Sequence, residues 1–217
     1  MMMSLLEKLN FCIIENRIKR SYSNRFKKFG ATAKGVFWKN NFTQDLRLDL
    51  IINAIDSYKV KYNPVICDIG CGYGRLYKKL QSQLLWENFH YFGLDINEQF
   101  INYCKSNFSA KNAIFVNKSS AKSFSDFTVM SGTFNLCTFD NIIVWENYLC
   151  ANLKLNWKYT KKAMIFNLLH KNKKQILNGL YYSDKHWIKK FCEINFGQTD
   201  IIKSTMLPDD ILVKVSR

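Results

Sequence analysis

Between Val65 and Leu80 the chain reads VICDIGCGYGRLYKKL, with Gly70, Gly72 and Gly74 at every second position between a strand-like run and a helix-like one. Glycine lets a backbone take positive φ and approach a ligand closely. A dinucleotide turn would read G-x-G-x-x-G. Here Arg75 stands where the third glycine belongs, and Asp68, two residues before Gly70, would repel a pyrophosphate. The turn, with Cys71 inside it, therefore suits a ligand whose near end is a cationic amine. Asp95 closes the next apolar run, HYFGLDI, 27 residues after Asp68. A carboxylate there is placed to accept two ribose hydroxyls in a bidentate manner. A plain helix cap or turn carboxylate is the alternative reading of Asp95.

The elements that must hold these groups alternate along the chain. PVICDI, HYFGLDI, AIFVN, DFTVMS and KAMIFNLLH read as strands. GRLYKKLQSQL, EQFINYCKSNF, a segment within Asp140–Leu153, and DKHWIKKFCEIN read as helices. QTDIIKST and DILVKVS end the chain as two alternating runs, with Leu207–Asp209 as their turn. Strands alternating with helices predict an α/β, Rossmann-like three-layer sandwich. Its sheet is mostly parallel and seven-stranded, with a C-terminal antiparallel hairpin near one edge, because the last two strands are too close for a helical crossover. Two helices precede the first strand. One opens the chain, with Leu5, Leu6, Leu9, Ile13 and Ile14 near one face; the other covers about Thr43–Ser57 and is capped by Asn41 or Thr43. The division is an N-terminal helical extension over 1–60 and a ligand-binding domain over 61–217.

D-I-G-C-G-Y-G followed by G-L-D-I resembles the class I S-adenosylmethionine-dependent methyltransferases. The paired motifs cover Val65–Ile96, and the strand order fits most of Asn63–Arg217. The resemblance implies S-adenosyl-L-methionine as cofactor, with Gly70, Cys71, Gly72 and Gly74 packed against its methionine part. It also implies Asp68 near the amino group, Asp95 on the ribose and Ile96 on the adenine. FGATAKGVFWKNNFTQDLRLDLI resembles the segment before the first strand in a less characterised bacterial subgroup. From it Trp38, Gln44 and Arg47 are carried over as a cap on the site, with Arg47 pairing the cofactor carboxylate. The family's acid after the third strand is missing from NKSSAKSF; Asn117, Ser119 or Ser120 would accept the adenine hydrogen bond instead.

Methyl transfer by in-line displacement asks the protein to align a nucleophile, exclude water and, for a protonated acceptor, remove a proton. The acceptor belongs where the fourth and fifth strands end, at Ser131–Asn135 and at Asn167 and His170. Ser131 is counted with the cofactor residues. His170 is the candidate general base, with a surface histidine among lysines as the plain alternative. Asn135 and Tyr182 complete the candidate catalytic set, and Tyr181, Tyr182 and Asp184 are expected in the following loop. The D/N-P-P-Y/F motif of nucleic-acid amino-methyltransferases is replaced by SGTF, which favours a small-molecule acceptor with an O or N nucleophile. An RNA methyltransferase and a non-catalytic cofactor-binding module are the alternatives.

The chain of 217 residues carries a formal net charge of +15. That balance favours phosphate-rich partners, but the basic residues are mostly lysines in a chain also rich in Asn, Ile, Phe and Tyr, the signature of AT-biased coding. Nucleic acid is thus possible and not favoured. Seven cysteines without a CxxC pair or zinc-type Cys/His spacing read as free thiols, with no metal site, in a reducing, cytoplasmic compartment. No apolar run reaches the ~18 residues of a membrane span. Oligomeric state is left open.

Overall fold

The computed structural model describes residues 5–60, 63–83, 88–108 and 111–217. Residues 1–4 at the start of the predicted first helix, residue 84 at the end of the third, and residue 61 at the division of the chain lie outside them. The strands are β1 Val65–Ile69, β2 His90–Asp95, β3 Ala113–Asn117, β4 Ser125–Met130, β5 Thr160–His170, β6 Gln175–Leu177, β7 Leu180–Ser183, β8 Thr199–Ser204 and β9 Leu207–Ser216. The helices are α1 Leu5–Phe29, α2 Asn41–Asp56, α3 Arg75–Gln81, α4 Glu98–Asn107, α5 Ile142–Trp157 and α6 Lys185–Asn195, with a short 3-10 turn at Lys34–Val36.

Seven strands form the expected mostly parallel sheet in the order β3-β2-β1-β4-β5-β9-β8, in which β9 alone runs against its neighbours. Strand alternation divides the core into two layers. Cys67, Ile69, Met164, Phe166 and Leu168 face Trp145, Leu149 and Leu153 of α5, Ile188 of α6, and Ile14 and Ile18 of α1. Ile66, Phe127, Val129, Ala163 and Ile165 face Leu48, Ile51 and Ile55 of α2, Leu76 and Leu80 of α3, and Ile101 of α4. Every residue of β4 is buried, as a central strand covered on both faces requires.

Four expectations are corrected. The face of α1 that packs is Phe11, Ile14, Ile18 and Tyr22, at spacings of three and four; Leu5, Leu6 and Leu9 are 85%, 66% and 56% exposed. The cap of α2 is Asn40, whose Oδ1 accepts the Thr43 amide at 2.9 Å. Leu207–Asp209 belongs to β9, and the chain turns at Thr205–Met206. Tyr181 and Tyr182 are in no loop: they lie on β7, in a β6–β7 hairpin that the sequence reading lacks. Asn178 and Gly179 at the tip have φ of 51° and 72°, the handedness a two-residue hairpin turn needs. Leu169 pairs with Asp210 of β9 and also with Tyr182 of β7. The hairpin therefore continues the edge of β5 that β4 leaves free, and it pairs onward to the segment after β4 through Leu136 and Leu180.

Candidate active site

The carboxyl ends of β1, β2, β4 and β5 open into a cavity of about 310 Å³ roofed by α1, the 3-10 turn and α2. Its lining includes Trp38, Arg47, Asp68, Gly70, Cys71, Gly72, Asp95, Ile96, Ser131 and Asn135. Gln44, on α2, also lines it and accepts the Tyr73 hydroxyl at 2.6 Å.

The acidic end is built from the turn after β1. The Gly70 and Cys71 amides donate to Leu94 O at 2.7 and 3.0 Å, which ties the turn to β2. Asp95 accepts the Asn97 amide at 2.7 Å on one oxygen and the Gly72 amide at 2.9 Å on the other. Burial pushes its pKa up to about 6 against the pull of those two donors. Asp68 is 2% exposed. The Tyr91 hydroxyl donates to its Oδ2, while Oδ1 is buried without a hydrogen-bond partner among the described residues. Burial, with the charge of Asp95 adding to it, pushes its pKa up to about 7 against the Tyr91 bond. A buried carboxylate oxygen left unpaired is costly, and a cationic donor in the cavity would satisfy it.

At the other end, Asn167 Oδ1 accepts the Gly132 amide at 2.7 Å, and its Nδ2 donates to Asp210 Oδ1 at 3.1 Å. Arg47 grips the same Asp210 with Nε at 2.8 Å and with Nη2, and its Nη1 donates to Thr43 O at 2.8 Å. Trp38 lies under this guanidinium, 4.4 Å from ring centroid to Cζ. One polar chain thus joins α2, β9, β5 and the turn after β4. Asn135 Oδ1 accepts the Leu169 amide at 3.1 Å, and its Nδ2 is buried with no partner among the described residues.

Helix α1 crosses the opening and is tied down along its length. Arg17 donates to Thr138 O at 3.1 Å, Ser23 Oγ accepts from Asn97 Nδ2 at 3.1 Å, and Glu15 lies beside Ser119 and Tyr148.

Several sequence-selected residues stand elsewhere. His170 is outside the cavity: Leu169 lines it, so the next side chain along β5 points away. Its Nδ1 sits 3.4 Å from Ser183 O and its Nε2 3.4 Å from Lys203 Nζ. Burial pushes its pKa below the ordinary value, and Lys203 and Lys185 add to that. Tyr182 is also outside, its ring 5.5 Å from the Lys171 ammonium. Ser120 is buried behind the lining, where Ser119 stands in its place. Gly74 caps α3 at φ 78°, and a Cβ there would come within 2.5 Å of Phe108, so it serves helix packing instead of ligand contact. Arg47 lines the cavity with its nitrogens committed to Asp210 and Thr43, so it is not a free fork for a carboxylate. Asn117 donates to Asp95 O at 2.9 Å and is exposed. Residues that sequence reasoning missed are Asp210 and the hairpin's Leu180; only the Asn178–Gly179 pair signalled the latter.

Gly132 gives a direct test of the roof. Its φ is +71°, and a Cβ there would stand 2.4 Å from Trp38 Cζ2. Gly132→Ala is expected to cost about 2–4 kcal/mol, from positive-φ strain and from displacing the indole. Urea unfolding measures it, and an unchanged midpoint would mean that the indole is free to move aside.

A family model described as a methyltransferase domain matches residues 61–205. No curated protein sequence matches the chain. Among solved structures, the magnesium protoporphyrin IX methyltransferase of Synechocystis PCC 6803 with bound SAM superposes with a TM-score of 0.65 at 14% identity, covering 96% of this chain and 97% of that one. A SAM-dependent methyltransferase from Leishmania major gives 0.69 at 12% identity, covering 92% and 82%. The methyltransferase domain of a bacterial Hen1 protein gives 0.58 at 17% identity, covering 79% and 97%. At these identities the likeness is one of fold.

Proposed function

This chain belongs to the class I S-adenosylmethionine-dependent methyltransferases, and we propose that it delivers the methyl group to a small-molecule acceptor. The observation that carries the reading is the unpaired, buried Oδ1 of Asp68 in the same lining as Asp95 and the bare Gly70–Gly72 turn. Asp68 would take the ammonium of the methionine part. Asp95, each of whose oxygens has accepted one amide, has a further lone pair on each for the ribose hydroxyls. Ile96 and Phe100 line the same end as Asp95 and would pack on the adenine, with Ser119 beside it. Bound there, S-adenosylmethionine supplies a methyl group activated by its sulfonium. The protein's own part is to position the acceptor and keep water out. Helix α1 and Trp38, which cover the opening, would do much of the latter.

Incubation with methyl-labelled S-adenosylmethionine and a fractionated extract tests this. Label is expected in the fraction below about 1 kDa, a small-ligand size. Label in RNA or protein instead would overturn the acceptor class.

Binding should also depend on pH. Asp68 and Asp95, raised to about 7 and about 6, hold protons in the free protein that an ammonium-bearing ligand displaces. Their raised values favour the free fold at low pH, and that contribution is lost as pH rises through about 6 to 7. The ligand's contribution runs the other way. S-adenosylhomocysteine is therefore expected to bind about tenfold or more tightly at pH 8 than at pH 5.5, and to raise the melting temperature more. Calorimetry at the two pH values checks it; equal affinities would free Asp68 from the assigned role.

A further inference from the structure

We propose that the methyl acceptor is a small carboxylate on an apolar body, and that Asn135 is the residue that holds it. The inference rests on the methyltransferase reading above and deepens it. Asn135 is 7% exposed and lines the cavity. The Leu169 amide, donating to Oδ1, fixes which way the side-chain amide is turned, so it is Nδ2 that is left buried and unpartnered. A buried amide donor with no acceptor calls for an oxygen from the ligand.

The rest of this end narrows the class. The walls are Trp38, Phe134, Leu136, Leu169 and Leu180, and the exposed Lys39 follows Trp38 in the lining. Among the described residues, no histidine lines the cavity, and its carboxylates, Asp68 and Asp95, lie on β1 and β2. Strands are about 4.8 Å apart, so Asp95 on β2 is about 10 Å from β4; Asp68 on β1 neighbours β4, but in the reading above it is taken up by the ligand's ammonium. Burial raises the pKa of the lining phenols Tyr22, Tyr73 and Tyr148, which keeps their protons on. An acceptor that arrives as a nucleophile with no proton to surrender fits this lining. An alcohol would need a base. An amine is protonated at neutral pH and must lose that proton before it can attack. A carboxylate is already ionised. One of its oxygens gives a lone pair to the new C–O bond, the methyl–sulfur bond breaks with its pair left on sulfur, and no proton is released. The other oxygen accepts from Asn135 Nδ2.

The test uses the full chain saturated with S-adenosylhomocysteine, titrated with benzoate, 3-phenylpropanoate and octanoate and with the corresponding amides and amines. At least one carboxylate is expected to bind about tenfold or more tightly than its amide and its amine. Asn135→Asp keeps an oxygen for the Leu169 amide but replaces the donor with a second acceptor. It should weaken that carboxylate about tenfold or more while leaving S-adenosylhomocysteine affinity unchanged. In ¹⁵N spectra the side-chain amide pair absent from Asn135→Asp should shift when the carboxylate is added to wild type, which a purely structural asparagine would not do. Carboxylates binding no better than amides or amines, or equally well to Asn135→Asp, would overturn the inference. Failure of wild type to bind S-adenosylhomocysteine would instead overturn the cofactor reading beneath it.

Discussion

Asp95→Ala is expected to weaken S-adenosylhomocysteine binding by at least about 100-fold, roughly 3 kcal/mol. Two losses combine. The ribose hydroxyls lose charge-assisted acceptors, each worth more than a neutral hydrogen bond. The Gly72 and Asn97 amides lose the carboxylate that now receives them at 2.9 and 2.7 Å, so the turn also loses its brace. Asp95→Asn separates the two effects. It retains one acceptor oxygen but sets an amide group against a backbone N–H, and an intermediate loss of affinity is expected. Calorimetry on folded variants, checked by circular dichroism, gives the numbers. An Asp95→Ala protein that binds within threefold of wild type would take the ribose away from this carboxylate.

The largest effect on stability is expected at Asp210. Its side chain is 6% exposed and takes both the Arg47 guanidinium, itself 11% exposed, and Asn167 Nδ2. Asp210→Ala leaves a buried guanidinium without its counter-charge, for which about 3–5 kcal/mol is the usual cost. The Gly132 turn should loosen with it, because Asn167 loses the partner that orients it. Replacing the pair together, Arg47→Met with Asp210→Leu, removes the uncompensated charge and should recover much of the loss. Urea denaturation of the three proteins decides. A single variant that loses less than about 1 kcal/mol would mark the pair as a surface-like ion pair.

The fold and the acidic end of the site were legible because they are written in local runs. Apolar strands alternate with helical stretches, and Asp68 and Asp95 stand at the carboxyl ends of β1 and β2 in plain sight. The acceptor end was not, and the reasons are physical. His170 looked like a base because it ends β5, but side-chain alternation puts Leu169 in the cavity and turns the imidazole toward Lys203. Arg47 looked free because its partner, Asp210, is 163 residues away, and no local pattern pairs α2 with the last strand. The strands of the β6–β7 hairpin are only three and four residues long and partly exposed, too short for periodicity to mark them, and the Asn178–Gly179 turn is their one signal. On α1 the leucines at the start outweighed the sparser stripe of Phe11, Ile14, Ile18 and Tyr22, which only the packed structure selects.

The most direct measurement is a calorimetric titration of the wild-type chain with S-adenosylhomocysteine at pH 8, with NAD as the comparison compound. Saturable binding at one site, in the micromolar range (about −8 kcal/mol) or tighter, with NAD unable to compete, is the expected result. Absence of heat and of any thermal shift at about 1 mM ligand, a limit near −4 kcal/mol, would contradict the assignment of the β1 turn and its two carboxylates to a sulfonium nucleoside.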